Sequence, residues 1–178
     1  MNILQILPSL DVGGVETGTV DLARHLALNG HKAVVISNGG RLVRELDIIG
    51  VRHYKLPVHK KSVFSMLRMV GDVSEIIRRE NIDIVHARSR VPAWIGFFAA
   101  KLNRRAFITT AHGYYRRRLT SDIMGWGRFV IVASNVMARH MSHDFGVPHT
   151  RIRLVPRGVD LNRFKFRDPS ERKAHEFA

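Results

Sequence analysis

Residues 2–37 read NILQILPSLDVGGVETGTVDLARHLALNGHKAVVIS, and this stretch decides the fold. A compact apolar run, Ile3 to Leu7, meets the pair Gly13-Gly14, and a helical pattern follows at once. Val15, Thr19, Leu22 and Leu26 recur at spacings of four, three and four, which puts them on one helical face. Asn29-Gly30 supplies the stop, because glycine takes the left-handed cap without strain. A second apolar run, Ala33–Ile36, comes next.

The same alternation continues outward. Val51–Leu56 reads as a weaker strand, and Ile82–Val85, Phe107–Thr110, Phe129–Val132 and Ile152–Val155 as further short ones. Runs this short and continuously apolar suit strands buried on both faces, as in a parallel sheet. Between them, Val63, Met66, Leu67, Val70, Val73 and Ile77 form a helical stripe. VPAWIGFFAA, residues 91–100, is too short to span a bilayer and reads as a buried helix. Ser134 or Asn135 is placed to cap a helix carrying Val136, His140, Met141 and Phe145, closed by Gly146 and Pro148. Strand, helix, strand, repeated about six times, predicts an α/β fold with a doubly wound, mostly parallel, Rossmann-like sheet. One domain over residues 1–164 is expected, with 165–178 a linker or tail, since the apolar period is lost there.

Composition bounds the function. The 178 residues are 45% hydrophobic and 25% charged, ordinary for a globular domain. The absence of cysteine excludes a disulfide scaffold or thiolate metal site and suits a reducing, cytoplasmic setting. The first residues read as a strand and show no export signal. Lys and Arg number 29 against 15 Asp and Glu, a formal +14. That field attracts polyanions: nucleic acid, anionic lipid or phosphorylated substrates.

In an open parallel sheet, ligands bind beyond the carboxyl ends of the strands. Gly13 and Gly14 fall there, before a helix whose first N–H groups are unpaired. Without Cβ atoms, a phosphate or sugar can approach the main chain; the alternative is a tight turn with glycine at positive φ. The loop V-G-G-V-E-T lacks the dinucleotide fingerprint, and no P-loop occurs, so neither a nicotinamide cofactor nor a P-loop nucleotidase is expected. His86, Arg88 and Arg90 follow from DIVHARSR; His112 and Gly113 follow from ITTAHGYYRRR. Two histidines with no carboxylate nearby in sequence argue against a metal. Arg116, Arg117 and Arg118 form a basic run after two tyrosines, suited to phosphates or carboxylates if it is more than a solvated loop.

Taken together, GGVETGTVDLARHLALNGH, DIVHARSRVPAW, TTAHGYY, VIVASNVMARHM and RIRLVPRGVD resemble the N-terminal half of a glycosyltransferase family 4 enzyme of the two-domain GT-B fold. HARSR, HGYY and PRGVD look most like members that build lipopolysaccharide or related envelope glycans. The resemblance implies a retaining, metal-independent transfer of a hexose from a nucleotide-sugar to a lipid-linked or envelope acceptor, with no cofactor beyond that co-substrate. It implies donor contacts at Gly13, Gly14 and Arg157, and His112 beside the transferred sugar as the catalytic-site residue. It implies acceptor contacts at Arg88, Arg90, Tyr114, Arg116, Arg117 and Arg118. The family's C-terminal donor-binding domain has no counterpart in these residues, so a separate or missing second domain is the implied partner, and the chain by itself is expected to be inactive. Peripheral contact with the inner face of the cytoplasmic membrane fits the charge. The alternative is a non-catalytic basic α/β module for a partner subunit or a polyanion such as nucleic acid. Scattered arginines without a docking motif leave nucleic acid unexpected.

Overall fold

A computed structural model describes residues 1–60, 62–116 and 120–158. The order is β1 (Asn2–Ile6), α1 (Gly14–Leu28), β2 (Lys32–Ser37), α2 (Val43–Ile48), β3 (Arg52–Lys55), α3 (Val63–Arg79), β4 (Ile84–Ala87), α4 (Arg90–Leu102), β5 (Ala106–Ala111), β6 (Val130–Val132), α5 (Asn135–His143) and β7 (Ile152–Leu154). The seven strands make one parallel sheet in the order β3-β2-β1-β4-β5-β6-β7. This is the doubly wound, Rossmann-like α/β fold.

Alternation along the buried strands sorts side chains to two faces. Leu4, Ile6, Val34 and Ile36 join the core under α3, α4 and α5, with Val73, Ile77, Ile95 and Met141. Leu7, Ala33 and Val35 join the smaller core under α1 and α2, with Val20, Ala23 and Leu46. The strand order reverses between β1 and β4, so the loops leaving those two strands diverge. That divergence opens a crevice at the carboxyl edge.

Several local expectations need correction. Val63 and Leu67 are exposed on α3, along with Phe64; the buried stripe is Met69, Val73, Ile76 and Ile77, and the helical period puts Val63 and Leu67 at its flank. Val136 is likewise exposed on α5. β4 lies two residues later than the apolar run suggested. Among the described residues between β5 and β6, the helical turn is a short 3-10 one at Asp122–Gly125, with Trp94, Phe97 and Trp126 packed beside it. The caps were legible: Ser134 Oγ accepts from Met137 N at 3.3 Å, and Gly30 and Gly146 take positive φ. Among the described residues, no helix is long and apolar enough to cross a membrane.

Candidate functional site

At the carboxyl edge a cleft of about 870 Å³ runs between α1 and the sheet face of β4 to β7. Its walls include Gly14 and Gly18 from α1, His86 and Arg88 from β4 and its exit, Thr110 and His112 from β5 and its exit, and Arg157 beyond β7. It coincides with the switch point between β1 and β4.

Gly13 is the N-cap of α1 with φ 179° and ψ 163°, an extended conformation open to any residue, and no side chain caps the helix. The pair is therefore not a positive-φ turn. What Gly14 provides is close approach, and the structure shows by what: a Cβ there would strike the guanidinium of Arg157. The slot over the bare amides is filled by that exposed, flexible side chain, which a ligand must displace or share. A Cβ on Gly13 would meet only the Glu16 carboxylate.

Arg157 also ties the glycine bend to His112. Its Nη2 donates to His112 Nδ1 at 3.0 Å. A guanidinium has no acceptor, so Nδ1 takes the bond and the ring proton stands on Nε2. Nε2 is buried and has no partner. Burial, then the charges of Arg88 and Arg157, hold the His112 pKa down to about 3. At neutral pH this ring is neutral, with one free N–H to offer.

Arg88 is 8% exposed. Its backbone N–H extends the sheet to Ile6 O at 3.1 Å, and its Nη1 donates to Gln5 Oε1 at 3.0 Å. Gln5 Nε2 in turn donates to Thr19 O of α1 at 3.0 Å. A fully buried glutamine thus holds the guanidinium in place. Nε of Arg88 is buried without a partner. Burial, then the charge of Arg157, lowers its pKa to about 10 against a pull upward from Glu16, so it stays cationic at neutral pH. Behind it, His86 Nε2 and Thr110 Oγ1 are 2.6 Å apart. Burial, then Arg88 and His112, keep His86 neutral with a pKa of about 3.

Residues 12–163 match the family described as Glycosyltransferase Family 4. The chain belongs to Glycosyltransferase Family 4. It is 27% identical over 177 residues to N-acetyl-alpha-D-glucosaminyl L-malate synthase of Bacillus anthracis, covering 91% of this chain and 46% of that protein. It is similar to a glycosyltransferase structure from Rickettsia africae at 37% identity and TM-score 0.83, covering 92% of this chain and 45% of that one. Anabaena HepE, solved in complex with UDP and glucose, shares the fold at 19% identity and TM-score 0.77, covering 96% of this chain and 48% of its own. The chain therefore spans about half the length of the relatives it matches. These neighbours make the sheet that of a GT-B glycosyltransferase.

Not every residue singled out in this family 4 domain shares the cleft. Gly14, Arg88, His112 and Arg157 line it together. Arg90 opens α4 instead, donating to Ser121 Oγ at 3.3 Å and lying 5.5 Å over the Tyr115 ring. Tyr114 stacks on His140 at 3.7 Å between ring centroids. With Arg116, His143 and Asp144 it lines a separate pocket of about 390 Å³. There His140 Nδ1 lies 2.5 Å from Asp144 Oδ2 and His143 Nδ1 lies 2.8 Å from Oδ1; bonds from His143, then His140, hold that carboxyl below its ordinary pKa. Arg117 and Arg118 lie outside the described residues. Among the described residues, no three His, Asp or Glu side chains cluster as metal ligands. Sequence reading missed Gln5 and Thr110. Their signal was a polar residue inside an otherwise apolar strand: Gln5 pairs with His86 across the β1–β4 ladder.

Proposed function

We propose that this family 4 domain is the acceptor-side half of a retaining glycosyltransferase. The reaction moves a hexosyl unit from a nucleotide-sugar to a lipid-linked or envelope polysaccharide acceptor of the lipopolysaccharide type. The observation that carries this is the neutral His112, held in one tautomer by Arg157 at the glycine end of the cleft. A ring with Nδ1 engaged and a pKa near 3 is a poor general base, but its Nε2–H is a prepared donor for a sugar hydroxyl or ring oxygen. The α1 amides and nearby guanidinium groups suit the negative charge that grows on a departing diphosphate, which is how such a transfer proceeds without a metal. Turnover requires a donor-binding domain beside this one, because these groups form one wall only. The HepE complex with UDP and glucose, the two parts of a nucleotide-sugar, makes UDP-glucose a reasonable first donor probe. The +14 charge supports a peripheral position at the inner face of the cytoplasmic membrane.

Saturation-transfer NMR of the chain with UDP-glucose tests the reading. Sugar-ring protons should receive saturation from wild type and lose it with His112→Ala. Equal saturation in both proteins contradicts it. A second reading, a non-catalytic partner of another subunit, has one observation in its favour: Val63, Phe64 and Leu67 are exposed together on α3. Unchanged monomeric sedimentation alongside a family 4 donor-binding half would count against that.

A further inference from the structure

We infer that Tyr114 and His140 are positioning residues for His112: their stacked rings fasten the loop leaving β5 to α5, and so hold the His112 ring in the cleft. The part His112 plays rests on the proposed transferase reading; the fastening does not. Tyr114 thereby takes a role other than the acceptor contact implied by the family resemblance.

The loop needs such a fastening. His112 follows directly on β5, and residues 113–116 lie beyond the ladder. Among the described residues, no backbone–backbone hydrogen bond ties Gly113, Tyr114, Tyr115 or Arg116 to another element. A segment without such bonds lies at the low end of local stability. Nothing crowds it into place either, since a Cβ on Gly113 would meet no atom within 4 Å. Its two tyrosines supply the restraint, one toward each neighbouring helix. Tyr115 lies under the Arg90 guanidinium of α4, and its hydroxyl accepts from His112 N at 3.3 Å. Tyr114 reaches α5, where its ring stacks on His140 with centroids 3.7 Å apart and planes 22° from parallel.

The stacked partners differ in how firmly they are held. Tyr114 is 70% exposed, whereas the His140 side chain is 2% exposed. His140 Nδ1 donates to Asp144 Oδ2 at 2.5 Å, one turn further along. An ionised carboxylate only accepts, so Nδ1 carries the proton. Phe145 meets the same ring edge to face at 5.3 Å, and Met137 and Met141 bury α5 against the core. His140 is therefore a fixed plate, and the exposed tyrosine gains its order by lying on it. Nε2 of His140 is buried without a partner. The ring thus serves through its face, which phenylalanine can replace.

The test follows the His112 imidazole by 15N–1H NMR of the 178-residue chain as pH is lowered. In wild type the ring should stay neutral well below 6.5, because burial, then Arg88 and Arg157, hold its pKa down to about 3. Tyr114→Ala removes an exposed ring and should leave circular dichroism native. Its His112 midpoint should nonetheless move toward 6.5, as the loosened loop lets the imidazole into water. His140→Ala should act alike, while Tyr114→Phe and His140→Phe should titrate as wild type does. Arg88, Arg157, His86 and Tyr115 face His112 in every variant, so their charges drop out of the comparison. A purely structural pair would shift the urea midpoint and leave this titration in place. An unmoved His112 midpoint in Tyr114→Ala overturns the proposal. So does an equal shift in Tyr114→Phe, or a wild-type ring that already titrates near 6.5. The transferase reading falls separately, if UDP-glucose sugar protons receive equal saturation from wild type and His112→Ala; the fastening then still stands.

Discussion

Two buried charges lie at opposite edges of the same sheet, and they are treated in opposite ways. At the amino edge, Glu80 is 1% exposed and receives Lys32 Nζ at 2.7 Å, Arg52 Nη1 at 2.7 Å and the Tyr54 hydroxyl. Burial pushes its carboxyl up, but the bonds from Lys32, Tyr54 and Arg52 outweigh this and bring it down to about 2. At the carboxyl edge, Arg88 is nearly as buried and has a neutral glutamine where Glu80 has three donors. The first arrangement closes on itself and stabilises the joint between α3, β2 and β3. The second is left open, and the open one lines the cleft.

The sharpest way to break this comparison is to remove each charge. Glu80→Ala should lower unfolding free energy by about 2 kcal/mol in urea titrations, with Lys32 and Arg52 remaining solvated enough to limit the loss. Arg88→Met should do the reverse, leaving stability unchanged or raising it by about 1 kcal/mol, because an apolar side chain of similar length replaces an uncompensated ion. Destabilisation by both would mean that Arg88 is also a structural pair.

Acid separates the two edges by pH. His86 and His112 have pKa values lowered from 6.5 to about 3, so the folded chain binds fewer protons than the unfolded one between those values. Their contribution is complete above pH 6.5 and is lost as pH falls toward 3. Glu80, lowered from 4.5 to about 2, contributes fully above 4.5 and is lost only below that. Stability should therefore begin to fall near pH 6.5, through the carboxyl edge first. His86→Gln should flatten the slope between pH 6.5 and 4.5 in urea midpoints and leave the steeper region below it in place.

The smallest stability effect is expected at the glycine bend. In Gly14→Val the new side chain meets only the end of Arg157, which can swing into solvent, so unfolding free energy should shift by less than about 0.5 kcal/mol. Saturation transfer to a nucleotide-sugar should nonetheless fall. Separately, changing Arg116, Arg117 and Arg118 to alanine should reduce low-salt binding to anionic vesicles, and equal binding would remove that run from any membrane contact.

Much of this architecture was readable from pattern alone. Parallel strands buried on both faces leave compact apolar runs, and glycine or serine at helix ends marks the joints, as at Gly30, Ser134 and Gly146. The β5–β6 connection was not readable, because Trp94 and Trp126 fix it through packing between distant segments rather than through periodicity. Exposure of Val63 and Leu67 was hidden for a related reason: a stripe shows which face of a helix is apolar, not how wide a part of that face its neighbours cover. In the site, Gly14 and His112 were legible from their places after strands. Gln5 and Thr110 announce themselves only as polar interruptions in ILQIL and ITTA, and their partners depend on register. Arg157 over Gly14 joins opposite ends of the chain, a contact that local pattern does not encode.

The central claim is that the charge at the carboxyl edge is open because a ligand closes it. The most direct test is the urea midpoint of the chain with and without saturating inorganic pyrophosphate. A ligand bound by the folded state alone raises stability by mass action, about 2.7 kcal/mol at a hundredfold excess over Kd. The account predicts a rise in wild type and in Glu80→Ala, and none in Arg88→Met. An equal rise in Arg88→Met, or no rise in wild type, would contradict it.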